Sequence, residues 1–131
     1  MTIRSMEAFV ASIWDWAILD GCFGNTRIRP TDIDGLVERN GLFLLLEGKG
    51  PNVPVPLAQR ILFERLRQTG LFTIVVVWGE PNSPAAMQVM TRRGQGKRKP
   101  ASMADLRRIV KRWFRYADKQ DEAASSGSLL A

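Results

Sequence analysis

An Asn-Gly dipeptide between two partly apolar segments constrains this chain more than any other feature. Both central positions of a type I′ turn need positive φ, which Asn and Gly tolerate. Asn40-Gly41 follows Val37-Glu38-Arg39 and precedes the apolar run Leu42 to Leu46. The sequence therefore predicts a β-hairpin in which Arg39 pairs with Leu42.

That register brings charged side chains together. It places Asp34 opposite Glu47 and Asp32 opposite Lys49. Side chains alternate faces along a strand, so all four share one face, with Glu47 and Lys49 about 7 Å apart along the strand. Opposed carboxylates repel one another, and a hard divalent cation with oxygen ligands relieves that repulsion.

The chemistry of this set is that of phosphodiester hydrolysis. Mg²⁺ or Mn²⁺ is the predicted cation, held by Asp34 and Glu47. Lys49 beside it can hold a phosphate, position a water or stabilise charge on a leaving oxygen. Water is the predicted nucleophile.

The spacing of Asp34, Glu47 and Lys49 resembles the motif of the PD-(D/E)xK nuclease superfamily. Gln59 on a following predicted helix and the run Leu71 to Trp78 extend the likeness. It covers residues 1–80 and is nearest to small phage, VRR-NUC-like or Holliday-junction-resolvase-like members.

The resemblance implies a fold and a set of roles. The fold is α/β with a restriction-endonuclease-like core, an αβββαβ mixed sheet flanked by helices. Asp34, Glu47 and the Gly48 carbonyl would bind the metal, Lys49 would be the catalytic lysine, and Gln59 would hydrogen-bond near the active site.

Plainer interpretations stand beside these roles. Charged residues at strand ends are common and usually solvated. Glu47, however, follows the apolar run Leu42 to Leu46, where unpaired charge is costly. Asp32 is either a third acidic group for a second metal or an ion-pair partner of Lys49. Gln59 either points to the site or lies at a solvated helix start.

The segments before and after the hairpin are predicted from periodicity. A first helix from Ser5 to about Leu19 would bury an apolar stripe, and residues 26–29 would form a short strand. By the resemblance, Glu7 and Asp20 are further acidic candidates, although capping or solvation also explains them. Cys22 is predicted to be a small buried residue. A helix over residues 57–68 should lead by a parallel crossover into the strand at residues 71–78.

Length and composition exclude several classes of protein. The 131 residues predict one domain over residues 1–119 with a single core. One cysteine and no histidine exclude an intramolecular disulfide, a His-based zinc site and an imidazole base. No run reaches the roughly 18 apolar residues of a membrane span, and the N-terminus does not resemble a signal peptide. We therefore expect a cytoplasmic protein, and the resemblance to the nuclease superfamily implies a bacterial cell and a phage or mobile-element origin.

Positive charge is concentrated in the last third of the chain. Residues 92–119 carry eleven Lys and Arg against Asp105 and Asp118, whereas the rest of the chain has eight basic and eleven acidic residues. Such asymmetry predicts a polyanionic partner, here the phosphate backbone of DNA.

Two basic segments would make those contacts. Residues 90–100 are predicted as a flexible basic loop, and residues 102–119 as a basic amphipathic helix opening with a Ser102–Asp105 capping box. An ordinary solvated face is the plainer interpretation of the helix. Residues 120–131 are predicted to be a disordered tail. The expected phosphate contacts are Arg92, Arg93, Lys97, Arg98, Lys99, Arg107, Arg108, Lys111 and Arg112.

The sequence thus predicts a metal-dependent endonuclease acting on DNA, with homodimer formation left open. One alternative is a catalytically silent nuclease fold that binds nucleic acid or inhibits a partner protein. A second is a purely structural DNA-binding protein in which the basic helix makes all the contacts.

Overall fold

The structure of the protein is a computed structural model that describes residues 3–120, with side chains from Ser5 onward. Its contacts divide the chain into two compact units, Met1–Asp32 and Ile33–Ala131. The tail predicted for residues 120–131 lies, apart from Gln120, outside the described residues.

The first unit contains a shorter helix than predicted. Helix α1 spans Ile3–Ser12, and a separate 3-10 helix spans Trp16–Leu19. Asp15 causes the break, because its side chain accepts a hydrogen bond from the Ala17 backbone N–H and starts a new helix. The apolar stripe predicted to be core is exposed, with Phe9 and Ile13 each 59% accessible.

Two other expectations in this unit are wrong. Residues 26–29 form no strand, because the Thr26 hydroxyl donates to the Phe23 carbonyl and accepts from the Ile28 N–H, which closes a local turn. Cys22, predicted to be buried, is exposed. Asp20 forms an ion pair with Arg29 at 2.6 Å, and Glu7 is exposed on α1.

The second unit begins with the predicted hairpin. Strand β1 spans Gly35–Arg39 and β2 spans Leu42–Lys49, in the predicted register with Arg39 paired to Leu42. Asn40 and Gly41 have φ values of 53° and 81°, as a type I′ turn requires. The Asn40 amide also donates to the carbonyls of Ala117 and Gln120, both at 3.1 Å. The turn is therefore fastened to the carboxyl end of the last helix.

Replacing Asn40 should separate its two contributions to stability. Asn40→Gly keeps the positive φ and loses only the amide hydrogen bonds, which are worth about 1 kcal/mol each. Asn40→Ala loses the hydrogen bonds and adds the roughly 1 kcal/mol penalty of a left-handed conformation. We expect urea unfolding to rank the proteins as wild type, then Asn40→Gly, then Asn40→Ala. Equal stability of all three would show that the turn and its contacts contribute little.

A parallel crossover follows the hairpin, as predicted. Helix α2 spans Leu57–Gln68, and β3 spans Phe72–Glu80 and pairs in parallel with β2. Phe63 of α2 is buried in a cluster with Leu45 of β2 and Ile74 of β3. α2 therefore covers one face of the sheet.

Strand β4, Ser83–Thr91, was not predicted from the sequence. It pairs antiparallel with β3 after a tight turn at Pro81-Asn82, where Asn82 has a φ of 59°. Two further short strands, β5 at Gly94–Gln95 and β6 at Lys99–Pro100, both pair with β4. The sheet is mixed and six-stranded, with β1 at one edge.

Residues 90–100 are therefore not a flexible loop throughout, which corrects the prediction. The Gly96 N–H donates to the Val89 carbonyl at 2.8 Å, and the Gln88 side chain donates to the Gly96 carbonyl. A Cβ at Gly96 would lie 2.9 Å from the Val89 oxygen. This glycine therefore allows two segments to approach closely, and does not loosen the chain.

Helix α3, Met103–Asp118, covers the other face of the sheet. Ser102 and Asp105 form the predicted capping box. Trp113 and Ala117 are buried against Leu44 and Val75 of the sheet. The second unit is thus an α/β structure with a mixed sheet between two helices.

Stability should depend on pH through this cap. The Ser102 backbone N–H, followed by the Ser102 hydroxyl, holds the pKa of Asp105 below its ordinary value of 3.8. A carboxyl whose pKa is lowered by folding stabilises the folded state at any pH above its pKa in the unfolded chain. That stabilisation is lost as the pH falls through the lowered pKa of the folded state. The melting temperature of wild type should exceed that of Asp105→Asn at pH 7, and the gap should shrink below about pH 4. A gap unchanged at pH 3 would contradict this role.

Within residues 3–120, no helix is long and apolar enough to cross a membrane.

Candidate functional site

The alternation of β2 places two of the predicted site residues on the α2 face of the sheet. Leu45, two residues before Glu47, packs against Phe63 of α2. Glu47 and Lys49 follow at the same two-residue period and therefore point to the same side. The predicted convergence of Glu47 and Lys49 is present, at the carboxyl end of β2.

Glu47 is buried, and only one of its oxygens is engaged. Oε1 lies 3.4 Å from Lys49 Nζ and accepts a hydrogen bond from Gln59 Nε2 at 3.2 Å. The Glu47 side chain is 7% exposed and that of Lys49 14%. Oε2 of Glu47 is buried and has no hydrogen-bond partner among the described residues.

Gln59 points toward the sheet and hydrogen-bonds to Glu47, so it does not lie at a solvated helix start. It lies in the first turn of α2, one turn before Phe63, and its amide nitrogen reaches Glu47. Its own Oε1 is buried and has no hydrogen-bond partner among the described residues. Glu47 and Gln59 thus leave two buried oxygens without donors, where donors or a cation are normally found.

Asp34 does not take up the predicted pairing with Glu47. The β1–β2 ladder starts at Gly35, one pair short of Asp34. The Asp34 carboxylate instead accepts a hydrogen bond from the Gly48 backbone N–H at 2.8 Å. Asp34 is therefore fixed beside the residue that separates Glu47 from Lys49.

Asp32 belongs to the first unit and precedes the ladder. Lys49 forms its ion pair with Glu47.

A cavity of about 570 Å³ opens at this end of the sheet. Asp34, Glu47, Gly48 and Lys49 all contribute to its wall. The β3–β4 turn, including Glu80, and the first turn of α3 complete it. Residues that the sequence proposed for one site thus line one concave surface.

The donor set fits a hard divalent cation. The Glu47 carboxylate and the backbone of Gly48 offer oxygen ligands, the type that Mg²⁺ and Mn²⁺ prefer, and the unpartnered Oε2 of Glu47 has no competing donor among the described residues. Among the described residues, no three side chains of His, Cys, Asp or Glu converge as a metal-binding group. A cation here would need backbone oxygen, water or substrate to complete its coordination, as Mg²⁺ commonly does.

The basic residues of the last third are largely unpaired. Of the eleven Lys and Arg in residues 92–119, only Arg108 forms a salt bridge within the described part of the chain, to Asp105. Arg92, Arg93 and Arg112 line a second cavity of about 410 Å³ with the aromatic residues Trp113 and Tyr116. Unpaired positive charge next to aromatic side chains suits nucleic acid.

The sequence did not predict the aromatic partner of one of these cations. The Arg98 guanidinium lies over the ring of Trp78 at 4.2 Å from the centroid. Trp78 is the partner of Lys49 in the β2–β3 ladder. This contact could not be predicted, because an arginine and a tryptophan twenty residues apart form no local sequence pattern.

No family model matches the chain, and no curated protein or solved structure matches it either.

Proposed function

We propose that the chain is a divalent-metal-dependent nuclease that hydrolyses phosphodiester bonds of DNA, of the PD-(D/E)xK type. The observation that carries the proposal is Glu47, a buried carboxylate with one oxygen held by Lys49 and Gln59 and the other without a partner. Glu47 and Asp34 both contribute to the wall of the cavity at this end of the sheet, which supports their acting on one substrate.

The free-energy cost of this arrangement favours a functional role. A buried polar group left without a partner costs about 1–3 kcal/mol, and more when it is charged. A purely structural sheet would end more stably on an apolar residue, because replacing buried ion pairs with packed apolar groups is often neutral or stabilising. Along its face of β2, Glu47 lies between the buried Leu45 and the partly buried Lys49, so an apolar side chain could take its place.

Each residue has a defined task in the proposed reaction. Asp34, Glu47 and the Gly48 carbonyl would hold the cation, and the bound cation would polarise the phosphate and lower the pKa of a water. Gln59 orients the Glu47 carboxylate through their hydrogen bond. Lys49 Nζ stabilises negative charge on the phosphate as the new O–P bond forms and the bond to the leaving sugar oxygen breaks.

The basic surface, formed by the eleven Lys and Arg of residues 92–119, supports DNA as the substrate. Ten of its eleven cations have no acidic partner among the described residues, so their charge is available to phosphates. Binding should then rest on neutralisation of phosphate charge and weaken as salt rises. This surface also supports the alternative in which the same fold binds nucleic acid without cutting it.

A cleavage assay separates the two functions. Purified protein is incubated with labelled duplex, branched and single-stranded DNA in Mg²⁺, in Mn²⁺ and in EDTA. We expect cleavage of at least one substrate in Mg²⁺ or Mn²⁺ and none in EDTA. Salt-sensitive binding without cleavage in either metal would favour the silent, binding-only fold and contradict the nuclease.

A further inference from the structure

Arg98 belongs to residues 90–100, here called the basic segment, and it lies on the same sheet face as Glu47 and Lys49. Partnered residues on neighbouring parallel strands direct their side chains to the same face. Lys49 of β2 is partnered with Trp78 of β3, and Trp78 packs in the apolar cluster under α2. The ring over which Arg98 lies is therefore the neighbour of Lys49.

Trp78 is held firmly enough to position a cation. It is only 4% exposed, and its Nε1–H donates to the Val53 carbonyl at 2.7 Å. Val53 belongs to the loop that directly follows Lys49 and leads into α2. On the other side, Lys99 pairs with Met87 of β4, which fixes the backbone next to Arg98. Both partners of the stack are thus tied to the strands of the sheet.

The Arg98 guanidinium keeps its hydrogen-bonding capacity. Within residues 5–120 it has no acidic partner and donates no hydrogen bond, whereas Arg39 and Arg108 are paired with Asp118 and Asp105. A guanidinium over the face of an aromatic ring keeps its N–H groups, which lie in the guanidinium's own plane, free to bind a phosphate with two hydrogen bonds.

We infer that Arg98 binds the phosphate that is cut, beside Lys49, while the other cations of the basic segment bind phosphates elsewhere along the backbone. This inference rests on the proposed nuclease function and adds a residue to it. Arg98 would orient the phosphate and stabilise the charge that grows on its oxygens as the new O–P bond forms.

Maximal cleavage rates test this assignment. Single-turnover cleavage of a labelled DNA in Mg²⁺ is measured at rising protein concentration for wild type, Arg98→Ala, Arg98→Lys and Arg92→Ala. We expect Arg98→Ala to lower the maximal rate about 100-fold, with half-saturation changed much less. Arg98→Lys should recover part of the rate, and Arg92→Ala should raise only the half-saturating concentration.

Arg65→Ala is the matched control, because it removes one exposed positive charge from α2. It should cleave like wild type. Circular dichroism and melting temperature should be the same for wild type and Arg98→Ala. If the alanine variant folds poorly, Arg98→Lys tests the same position with the charge retained. Wild-type cleavage with an unchanged maximal rate in Arg98→Ala would overturn this inference alone. A wild type that cleaves nothing in either metal would overturn the proposed function and this inference with it.

Discussion

Glu47→Gln and Lys49→Ala should each reduce cleavage by about 10³-fold or more while the protein stays folded. Glutamine keeps the volume of Glu47 and loses the negative charge. Gln59 can turn its amide to complement the new side chain, because its own oxygen has no partner among the described residues. Single-turnover cleavage in Mg²⁺ gives the rates, and circular dichroism reports the fold.

Stability measurements make this prediction sharper. In EDTA, Glu47→Gln should lose less stability than Lys49→Ala, because it removes the unpartnered buried oxygen charge and leaves unpaired only Lys49, the more exposed of the two side chains. Lys49→Ala should be less stable, since it leaves Glu47 without its cationic partner. Glu38→Gln serves as the control, because Glu38 is an exposed acidic residue of the adjacent strand. Cleavage by Glu47→Gln at the wild-type rate would exclude Glu47 from the chemistry.

Removing charge from the basic segment should weaken DNA binding strongly and leave chemistry nearly intact. Replacing Arg92, Arg93, Lys97 and Lys99 together with glutamine removes up to four phosphate contacts. Each lost contact lowers the slope of log affinity against log salt by about 0.9. We therefore expect the slope to fall by up to about 3.6 units and the affinity to fall by several orders of magnitude at low salt.

Arg98 is left unchanged in this variant because the structure places it beside the partner of Lys49. The maximal cleavage rate at saturating protein should then stay within a few-fold of wild type. Arg65→Gln controls for the loss of net charge and should alter the salt slope by less than one unit. An unchanged slope in the four-residue variant would assign the basic segment to a different partner, such as an acidic protein.

The parts of the fold that were predicted correctly are those set by neighbouring residues. The hairpin register follows from the positive φ of Asn40 and Gly41. The start of α3 follows from the Ser102–Asp105 capping box. The α2 crossover follows from an apolar stripe whose members are three and four residues apart, and that stripe also turned Gln59 toward Glu47.

The parts that were not predicted depend on contacts distant in sequence or on single side-chain hydrogen bonds. β4 is specified by pairing with β3 and by packing on both faces of the sheet, which leaves no clean alternation in its sequence. The break after α1 depends on one Asp15 hydrogen bond. The Asp34 contact depends on where the ladder ends, which the turn does not determine.

The claim that Glu47 holds a divalent ion is tested most directly by titrating Mn²⁺ into the protein without DNA. Free Mn²⁺ is followed by electron paramagnetic resonance for wild type, Glu47→Gln and the Glu38→Gln control. The proposal predicts a site in wild type and in Glu38→Gln whose affinity falls at least tenfold in Glu47→Gln, since one anionic ligand is lost. Equal Mn²⁺ binding by wild type and Glu47→Gln would contradict it.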